Sequence, residues 1–253
     1  MTKIAGRRVV VLGALSAIGE ATARLYAAEG GQIVVVGRNP ERLDSVAADL
    51  RVRGAMACHP WPLDLATTAE PARELEAMTA VLGGSVDVIL IFYGVLGDQR
   101  QAEQATAEAR RVLDVNFTSA VEWCLAAANV LERQRQGALL AVSSVAGDRG
   151  RQSNYVYGAA KAGLTILVEG IAHRLAPSGA RAMVVKLGFV DTPMTAHIAK
   201  KGALWAKPGA VAQRIKDLAD RGKKPIVYVP AFWRLIMFVV RNLPTPIFHK
   251  TKL

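Results

Sequence analysis

Short apolar runs alternate with longer stretches of mixed polar and apolar residues along most of the chain. The short runs are rich in Val, Ile and Leu, which is typical of strands that are covered on both faces of a sheet. Seven such strands are predicted, at residues 7–12, 32–37, 55–60, 87–93, 138–143, 181–187 and 225–229.

The stretches between these strands carry Ala, Leu, Glu and Arg, with apolar residues near helical spacing. They predict helices at residues 18–29, 41–53, 67–82, 103–114, 118–134 and 153–175. Repeated strand–helix alternation favours an α/β fold with a doubly wound parallel sheet and helices on both faces. Neither an internal repeat nor a Ser/Gly-rich linker divides the sequence, so we expect a single domain over residues 1–253.

Two stretches interrupt the alternation. The segment 191–222 is long and contains Gly202, Pro208 and Gly209, and we expect it to fold over the sheet edge as a substrate lid. The tail, residues 230–253, joins a compact apolar run to basic residues, which is typical of a helix lying at a membrane surface. A helix packed on the domain or in a subunit contact is the alternative for the tail.

The net charge of +11 is concentrated near the end of the chain. Residues 200–253 hold twelve Lys or Arg and two Asp, so the preceding part is nearly neutral. This imbalance favours an anionic partner, which would be a membrane surface, a phosphorylated substrate or nucleic acid, although a solvated basic surface remains open. Nucleic acid is the weakest of these because no recognition-helix pattern accompanies the charge.

Composition excludes several classes of protein. Hydrophobic residues make up 51% of the chain, which predicts a large buried core. The two cysteines exclude a disulfide framework, and the four scattered histidines offer no metal-ligand spacing, so no metal site is expected. Arg7 and Arg8 before an apolar stretch resemble a secretory signal. The same residues open a better-specified motif, so we expect a cytoplasmic protein that is peripheral at the inner membrane face.

A glycine-containing turn, Gly13 to Gly19, connects the first strand directly to the first helix. Such a turn lets backbone N–H groups approach a pyrophosphate at a helix N-terminus, although an ordinary strand–helix turn is the alternative. The second strand ends at Arg38, where an acidic residue would bind the ribose of NAD. Arg38 therefore favours the 2′-phosphate of NADP, although an arginine that only ends the strand in solvent is the alternative. Asp64 after the third strand is placed to meet the adenine amino group, and a loop aspartate that caps the backbone is its alternative.

Tyr157 and Lys161 are four residues apart in a predicted helix and therefore share one face. A neighbouring ammonium group favours the phenolate, so we expect a lowered tyrosine pKa and a proton donor that works near neutrality. Ser144 lies thirteen residues before Tyr157, and Asn116 opens the preceding helix. Tyr155 is a poorer candidate because Ala159, not a lysine, follows it by four residues.

Together these motifs resemble those of the short-chain dehydrogenase/reductase family over essentially the whole chain, which implies a Rossmann-type fold. The resemblance implies a catalytic set of Asn116, Ser144, Tyr157 and Lys161. It also implies cofactor contacts from Gly13, Ser16, Ile18, Gly19, Arg38, Asp64, Gly94, Tyr157, Lys161, Val190 and Thr192. Leu12, Ala17 and the segment 91–93 depart from the family pattern, which indicates a divergent branch.

The resemblance implies an NADPH-dependent ketoreductase that works as a homo-oligomer. Tyr157 would protonate the carbonyl oxygen that Ser144 orients, Lys161 would hold the ribose, and Asn116 would position a water. Segments at 93–98, 147–157 and 227–234 resemble decaprenylphosphoryl-2-keto-ribose reductases, which implies a lipid-linked or amphipathic carbonyl substrate. The alternatives are reduction of an acyl-chain or other hydrophobic ketone, and a noncatalytic module that senses a cofactor or binds nucleic acid.

Overall fold

The computed structural model describes residues 6–196, 198 and 201–251. Seven strands form one parallel sheet in the order β3-β2-β1-β4-β5-β6-β9. They are β1 (Arg8–Leu12), β2 (Gln32–Gly37), β3 (Ala57–Pro62), β4 (Val88–Ile91), β5 (Ala138–Ser144), β6 (Arg181–Leu187) and β9 (Ile226–Val229). The prediction of a doubly wound parallel α/β fold is confirmed. The apolar stretch that resembled a secretory signal contains β1 and the start of the first helix.

The strand order reverses between β1 and β4. Val10 pairs with Val34 of β2 on one side and with Ile89 of β4 on the other. The chain leaves β1 and β4 toward opposite halves of the sheet, which opens a crevice at their carboxyl ends. The crevice in this fold lies where the glycine-containing turn ends.

Ten helices cover the sheet within the described part of the chain. They are α1 (Ala17–Ala28), α2 (Pro40–Val52), α3 (Pro71–Val81), α4 (Gln99–Gln104), α5 (Thr106–Leu113), α6 (Ser119–Gln134), α7 (Tyr155–Leu175), α8 (Pro208–Arg221), α9 (Trp233–Asn242) and α10 (Thr245–Phe248). Alternate residues of each central strand point to opposite faces, so Val9 and Val11 join one apolar cluster, and Val10 and Leu12 join the other. The two clusters lie on opposite faces of the sheet.

The segment predicted as a lid, 191–222, contains a core helix. α8 buries Val211, Ile215 and Leu218 in the same apolar cluster as α1 and the sheet. Its apolar residues recur at helical spacing, and this pattern was overlooked because Gly and Pro precede it. The lid prediction is therefore wrong for residues 208–221. Between β6 and α8, the described residues form two short paired strands, β7 (Phe189–Val190) and β8 (Trp205–Ala206), a 3₁₀ turn (Pro193–Thr195) and irregular backbone, while residues 197, 199 and 200 of the predicted lid lie outside the described part.

The tail is helical and docks on the loop that follows β5. α9 buries Trp233 and Met237 against Val145. The Arg149 guanidinium donates to the carbonyl oxygens of Val240 (2.6 Å) and Leu243 (2.8 Å). Residues 252 and 253 of the predicted tail lie outside the described residues. Across the part of the chain that the structure describes, no helix combines the length and apolarity that a membrane span requires.

Candidate active site

The turn after β1 is shaped by two glycines that leave no room for a side chain. Gly13 has a φ of +86°, and a Cβ there would lie 2.7 Å from the Tyr93 nitrogen. A Cβ on Gly19 would lie 2.7 Å from the Gly13 oxygen. Ser16 caps α1, because its hydroxyl accepts from the Gly19 N–H (3.1 Å) and donates to the Gly13 oxygen (2.9 Å).

This capped turn presents the start of α1 to a cavity. Ala17 and Ile18 are the first two residues of the helix and both line the cavity. The first N–H groups of a helix have no intrahelical acceptor, so they favour an anion such as a pyrophosphate. Ala17 stands where the family pattern has glycine, and its place at the helix start is compatible with this geometry.

The predicted adenosine-binding residues lie at the ends of β2 and β3. Arg38 is exposed directly after β2. Arg42, for which the sequence predicts no role, lies on the first turn of α2. Its guanidinium donates to the Leu15 oxygen (3.4 Å), and the residue lines the cavity. Asp64 uses one carboxylate oxygen to accept from the Ala66 N–H (3.0 Å). A second arginine therefore joins Arg38 on the side where the cofactor's 2′ substituent would lie.

The proposed catalytic residues meet in one cavity of about 380 Å³ at the carboxyl ends of β4, β5 and β6. Ser144 is the last residue of β5, and Tyr157 and Lys161 lie on the first two turns of α7. The Lys161 ammonium donates to the Val142 oxygen (3.1 Å) and lies 5.7 Å from the centre of the Tyr157 ring. All three side chains line the same space.

Burial controls the protonation of this pair. Burial raises the pKa of Tyr157 to about 12, and the Ser144 hydroxyl opposes that shift. Burial lowers the pKa of Lys161 to about 8. The sequence predicts a lowered tyrosine pKa from the nearby ammonium, and the structure differs because desolvation of the phenolate outweighs that attraction. Tyr157 is therefore a protonated phenol across the neutral range.

Asn116 lies in a π-helical turn, Asp114–Thr118, between α5 and α6. Its amide nitrogen donates to the Val95 and Val112 oxygens, each at 2.8 Å, and its amide oxygen accepts from the Val95 N–H at 3.1 Å. The side chain therefore fixes the loop after β4, and both hydrogens of its amide nitrogen are used by backbone oxygens. The amide oxygen accepts one hydrogen bond and can accept a second.

Ser143 and Tyr155, the alternatives to Ser144 and Tyr157, lie in different surroundings from the proposed residues. The Ser143 hydroxyl is buried, bonding the Lys161 oxygen (2.8 Å) and the Thr165 hydroxyl (3.0 Å). Tyr155 is 45% exposed on the outer side of α7. Ser143 is among the residues that line the cavity, but its hydroxyl is already bonded within the protein, and Tyr155 does not line the cavity. Both observations support the choice of Ser144 and Tyr157.

The remaining predicted residues complete the cavity walls. A Cβ on Gly94 would lie 2.6 Å from the Asn116 amide oxygen, so glycine lets the loop pass close to the catalytic residues. Val190 is buried in β7, and Thr192 begins a short 3₁₀ turn beside it. Both line the cavity, as Gly94 does.

Three further cavity residues were missed by the sequence analysis: Arg151, Asn154 and Phe189. Arg151 and Asn154 lie between β5 and α7, within the segment 147–157, from which the sequence predicts a class of substrate but no role for either residue. Phe189 is held between Trp205 and Trp233, with ring centroids at 5.2 and 5.1 Å. Its position depends on contacts with distant segments that no local pattern reveals.

The short chain dehydrogenase family model matches residues 7–203, which include the glycine turn, β5 and the Tyr157–Lys161 pair. The chain belongs to the short-chain dehydrogenase family. This short-chain dehydrogenase is therefore an oxidoreductase, and its family binds NAD(P). The glycine cradle and the cavity beside α1 fit such a cofactor.

Curated relatives of this short-chain dehydrogenase span nearly its whole length. An uncharacterised oxidoreductase of Streptomyces coelicolor, from the region 5′ of mprA, is 36% identical and covers 96% of this chain and 95% of its own. An uncharacterised oxidoreductase of Mycobacterium tuberculosis is 34% identical and covers 93% of each chain.

A solved structure supports the fold of this short-chain dehydrogenase. The short-chain type dehydrogenase/reductase from Mycobacterium marinum superposes with a TM-score of 0.81 at 23% identity. The alignment covers 95% of this chain and 97% of that one. The likeness extends over the sheet and its helices, so the whole described domain has the family's architecture.

Proposed function

We propose that this short-chain dehydrogenase is an NADPH-dependent ketoreductase acting on an amphipathic, lipid-linked carbonyl substrate such as a polyprenyl-phosphate keto-sugar. The observation that carries the ketoreductase proposal is the shared cavity of Ser144, Tyr157 and Lys161 beside the glycine cradle. A phenol, a hydroxyl and a buried amine around one space are suited to proton delivery to a carbonyl oxygen.

Each side chain has a distinct role in this proposal. Tyr157 donates the proton, because its raised pKa keeps the phenol protonated at the pH of the cell. The Ser144 hydroxyl donates to the carbonyl oxygen and orients it toward the phenol. Lys161 binds the nicotinamide ribose and resupplies the proton, and Asn116 holds the loop that closes the site. When bound, the nicotinamide supplies the hydride to the carbonyl carbon.

The preference for NADPH is supported by two guanidinium groups at the adenosine end. Arg38 is exposed at the carboxyl end of β2, and Arg42 follows on the first turn of α2. The first turn of α2 also contains Glu41, which is exposed. Two arginines against one carboxylate favour a 2′-phosphate over a free 2′-hydroxyl, because a guanidinium binds phosphate oxygens through charge-assisted hydrogen bonds.

A lipid-linked substrate and a peripheral membrane contact are supported by the surface around α9. A groove between α8, β9 and α9 is lined by five exposed cations, Arg214, Lys223, Lys224, Arg234 and Arg241, and no Asp or Glu is found among the described residues that line it. We call it the basic groove. Beside it, Leu235 and Phe238 on α9 are 70% and 66% exposed. Cations flanking exposed apolar side chains are suited to an anionic lipid surface.

The same surface is a poor dimer contact through a two-fold axis. A two-fold contact places a patch against its own copy, so the cations of the basic groove would face each other. We therefore assign the basic groove to the inner face of a membrane or to the carrier of the substrate. The proposed homo-oligomer forms elsewhere, through α6 and α7, where Leu125 and Ile166 are exposed.

The test is NADPH oxidation with a panel of keto-sugars and lipid carbonyls, with and without detergent. We expect turnover to be fastest with a polyprenyl-phosphate keto-sugar. Faster turnover of an acyl-chain ketone would replace the proposed substrate, and no turnover of any ketone together with no NADPH binding would refute the ketoreductase proposal. Tight, salt-sensitive binding of random duplex DNA in place of NADPH would point to the noncatalytic alternative.

A further inference from the structure

A half-buried cationic group near the catalytic serine forms no salt bridge with a described residue. The Arg151 guanidinium lines the catalytic cavity and donates through Nη2 to the Val145 oxygen (2.9 Å), so it is anchored to the residue that follows Ser144. Its Nε is buried and has no hydrogen-bond partner among the described residues. A buried polar group without a partner is costly and uncommon in folded proteins.

The carboxylate that acts electrostatically on Arg151, that of Asp148, already has two partners. Asp148 is three residues away in sequence and accepts from both the Lys186 ammonium and the Tyr228 hydroxyl, the latter at 2.8 Å. Burial lowers the pKa of Arg151, and Asp148 opposes that shift. Arginine still keeps its charge under all ordinary conditions. The described walls of the catalytic cavity contain Arg42, Lys161 and Arg151 and no carboxylate.

Arg151 lies on the substrate side of the cavity. It also lines an adjoining outer cavity with Leu96, Asp98 and Gln99, on the α4 side of Tyr157. Asp98 is occupied there as the cap of α4, accepting from the Gln101 N–H at 3.0 Å. The pyrophosphate cradle at Ala17 and Ile18 belongs to the catalytic cavity alone. The unpaired charge of Arg151 therefore suits an anion carried by the substrate.

A second unpartnered polar atom belongs to a residue that lines the same two cavities as Arg151. The amide oxygen of Asn154 is buried without a hydrogen-bond donor among the described residues, and Asn154 lines both cavities. An amide oxygen needs a donor, such as a hydroxyl group. An anion with several acceptor oxygens would satisfy the Arg151 Nε–H group, and a hydroxyl on the same molecule would satisfy the Asn154 amide oxygen.

We propose that Arg151 binds a phosphate group on the substrate close to the reacting carbonyl, while Asn154 accepts from a substrate hydroxyl. This deepens the proposed function, on which it rests, by assigning the substrate to the class of keto-sugar phosphates. The phosphate can belong to a soluble sugar phosphate or to a phosphodiester on a lipid carrier, because the guanidinium meets the same oxygens in both.

The first test needs no turnover. Phenyl phosphate binding is measured by calorimetry on protein saturated with NADP⁺, which occupies the phosphate sites of the cofactor. Arg151→Met should weaken binding at least tenfold, and Arg151→Lys should recover part of it. Arg73→Met is the matched control, since Arg73 lies exposed on α3 and should leave binding unchanged. Equal binding by Arg151→Met and the parent, or no binding by the parent, overturns the inference.

The second test uses a matched pair of ketones. The parent should reduce hydroxyacetone phosphate with a kcat/KM at least tenfold above that for hydroxyacetone, and Arg151→Met should abolish this preference. If neither these two ketones nor any member of the keto-sugar and lipid carbonyl panel is reduced while phenyl phosphate binding still depends on Arg151, the proposed ketone reduction fails and the anion site stands. Farnesyl phosphate in detergent identifies the source: binding tighter than that of phenyl phosphate assigns the phosphate to a lipid carrier.

Discussion

The chemistry of individual residues in this site is set by how deeply each is buried. Tyr157 and Lys161 lie close together, yet burial shifts their pKa values in opposite directions, because each neutral form is favoured away from water. The phenol stays protonated, and the amine titrates near pH 8. The pair can therefore donate protons at neutral pH without a fixed ion pair.

Removing the phenol should stop proton delivery while the cavity keeps its shape. Tyr157→Phe should lower kcat for ketone reduction by roughly two to four orders of magnitude, the usual contribution of a general acid. NADPH affinity, measured by fluorescence titration, should change little. Tyr155→Phe is the control, because Tyr155 lies outside the cavity. Rates close to the parent's in Tyr157→Phe would exclude Tyr157 as the acid.

The lowered pKa of Lys161 makes stability depend on pH. Between pH 8 and 10.5 the unfolded chain binds this proton and the folded chain does not, so stability rises with pH across that window. The free energy of unfolding of the parent, relative to Lys161→Met, should increase by about 2 kcal/mol between pH 7.5 and 9.5. Urea denaturation of both proteins at the two pH values checks this. If the difference in unfolding free energy between the two proteins stays constant with pH, the pKa of Lys161 is not lowered in the folded protein.

The arginine after β2 should decide the choice of cofactor. Arg38→Asp should reverse the preference from NADPH to NADH, because a carboxylate repels the 2′-phosphate and accepts from a 2′-hydroxyl. Dissociation constants for both cofactors provide the measurement. Arg42→Asp should produce a smaller shift in the same direction. Equal affinity of the parent for NADPH and NADH would contradict the proposal.

At the scale of elements, α9 has two faces with different roles. Trp233 and Met237 pack on Val145, next to Ser144, while Leu235 and Phe238 point outward. A helix of ten residues is too short to span a membrane but long enough to lie in its interface. Because the inward face packs on Val145 in the cavity wall, a movement of α9 caused by a contact on its outward face would also displace that wall.

The outward face should bind anionic liposomes. The parent should co-sediment with them at low salt, and binding should weaken with salt without vanishing, because each cation near the surface contributes about 1 kcal/mol and apolar burial is not screened. The double change Leu235→Asn and Phe238→Asn should abolish the part of liposome binding that resists salt. Val52→Asn is the control, an equally exposed apolar residue on α2. A parent that stays in the supernatant at low salt would refute the membrane contact.

Elements with clear periodicity could be predicted from the sequence, and those shaped by distant contacts could not. β2 and β6 begin and end at the predicted residues, because each contains a run of Val, Ile, Ala or Met between recognisable ends. The predicted helix 103–114 divides into α4 and α5, since Ala105 adopts an extended conformation between them. α8 was missed although its apolar spacing is regular, because Pro208 and Gly209 were interpreted as loop signals.

At the scale of the whole molecule, the active site joins residues from most of the chain. The catalytic motif could be found in the sequence because its members have fixed spacing within β5 and α7. Arg151 and Phe189 could not be assigned in the same way, since their place in the cavity depends on how the loops after β5 and β6 pack together. A sequence motif identifies the chemistry here, while the folded loops define the substrate.

Assembly of the molecule should depend on the outer face of α6 and α7. Ile166 is 68% exposed in the middle of α7, and such an apolar residue on a long helix suits a helix-to-helix subunit contact. Ile166→Glu should convert an oligomer to smaller species in light scattering after size exclusion. Val52→Glu should not change the mass. A monomeric parent would refute the proposed contact.

The aromatic contact of Phe189 gives this enzyme a built-in optical reporter. Trp205 stacks on Phe189 from the segment between β6 and α8, and indole emission depends on the polarity around the ring. Trp61 and Trp123 bond elsewhere, to Glu74 and to the Leu65 oxygen, so their emission should be insensitive to the cavity. Trp233 also contacts Phe189. A ligand that displaces Phe189 would shift the spectrum of the unlabelled protein, and the shift would shrink in Trp205→Phe and be lost when Trp205→Phe and Trp233→Phe are combined.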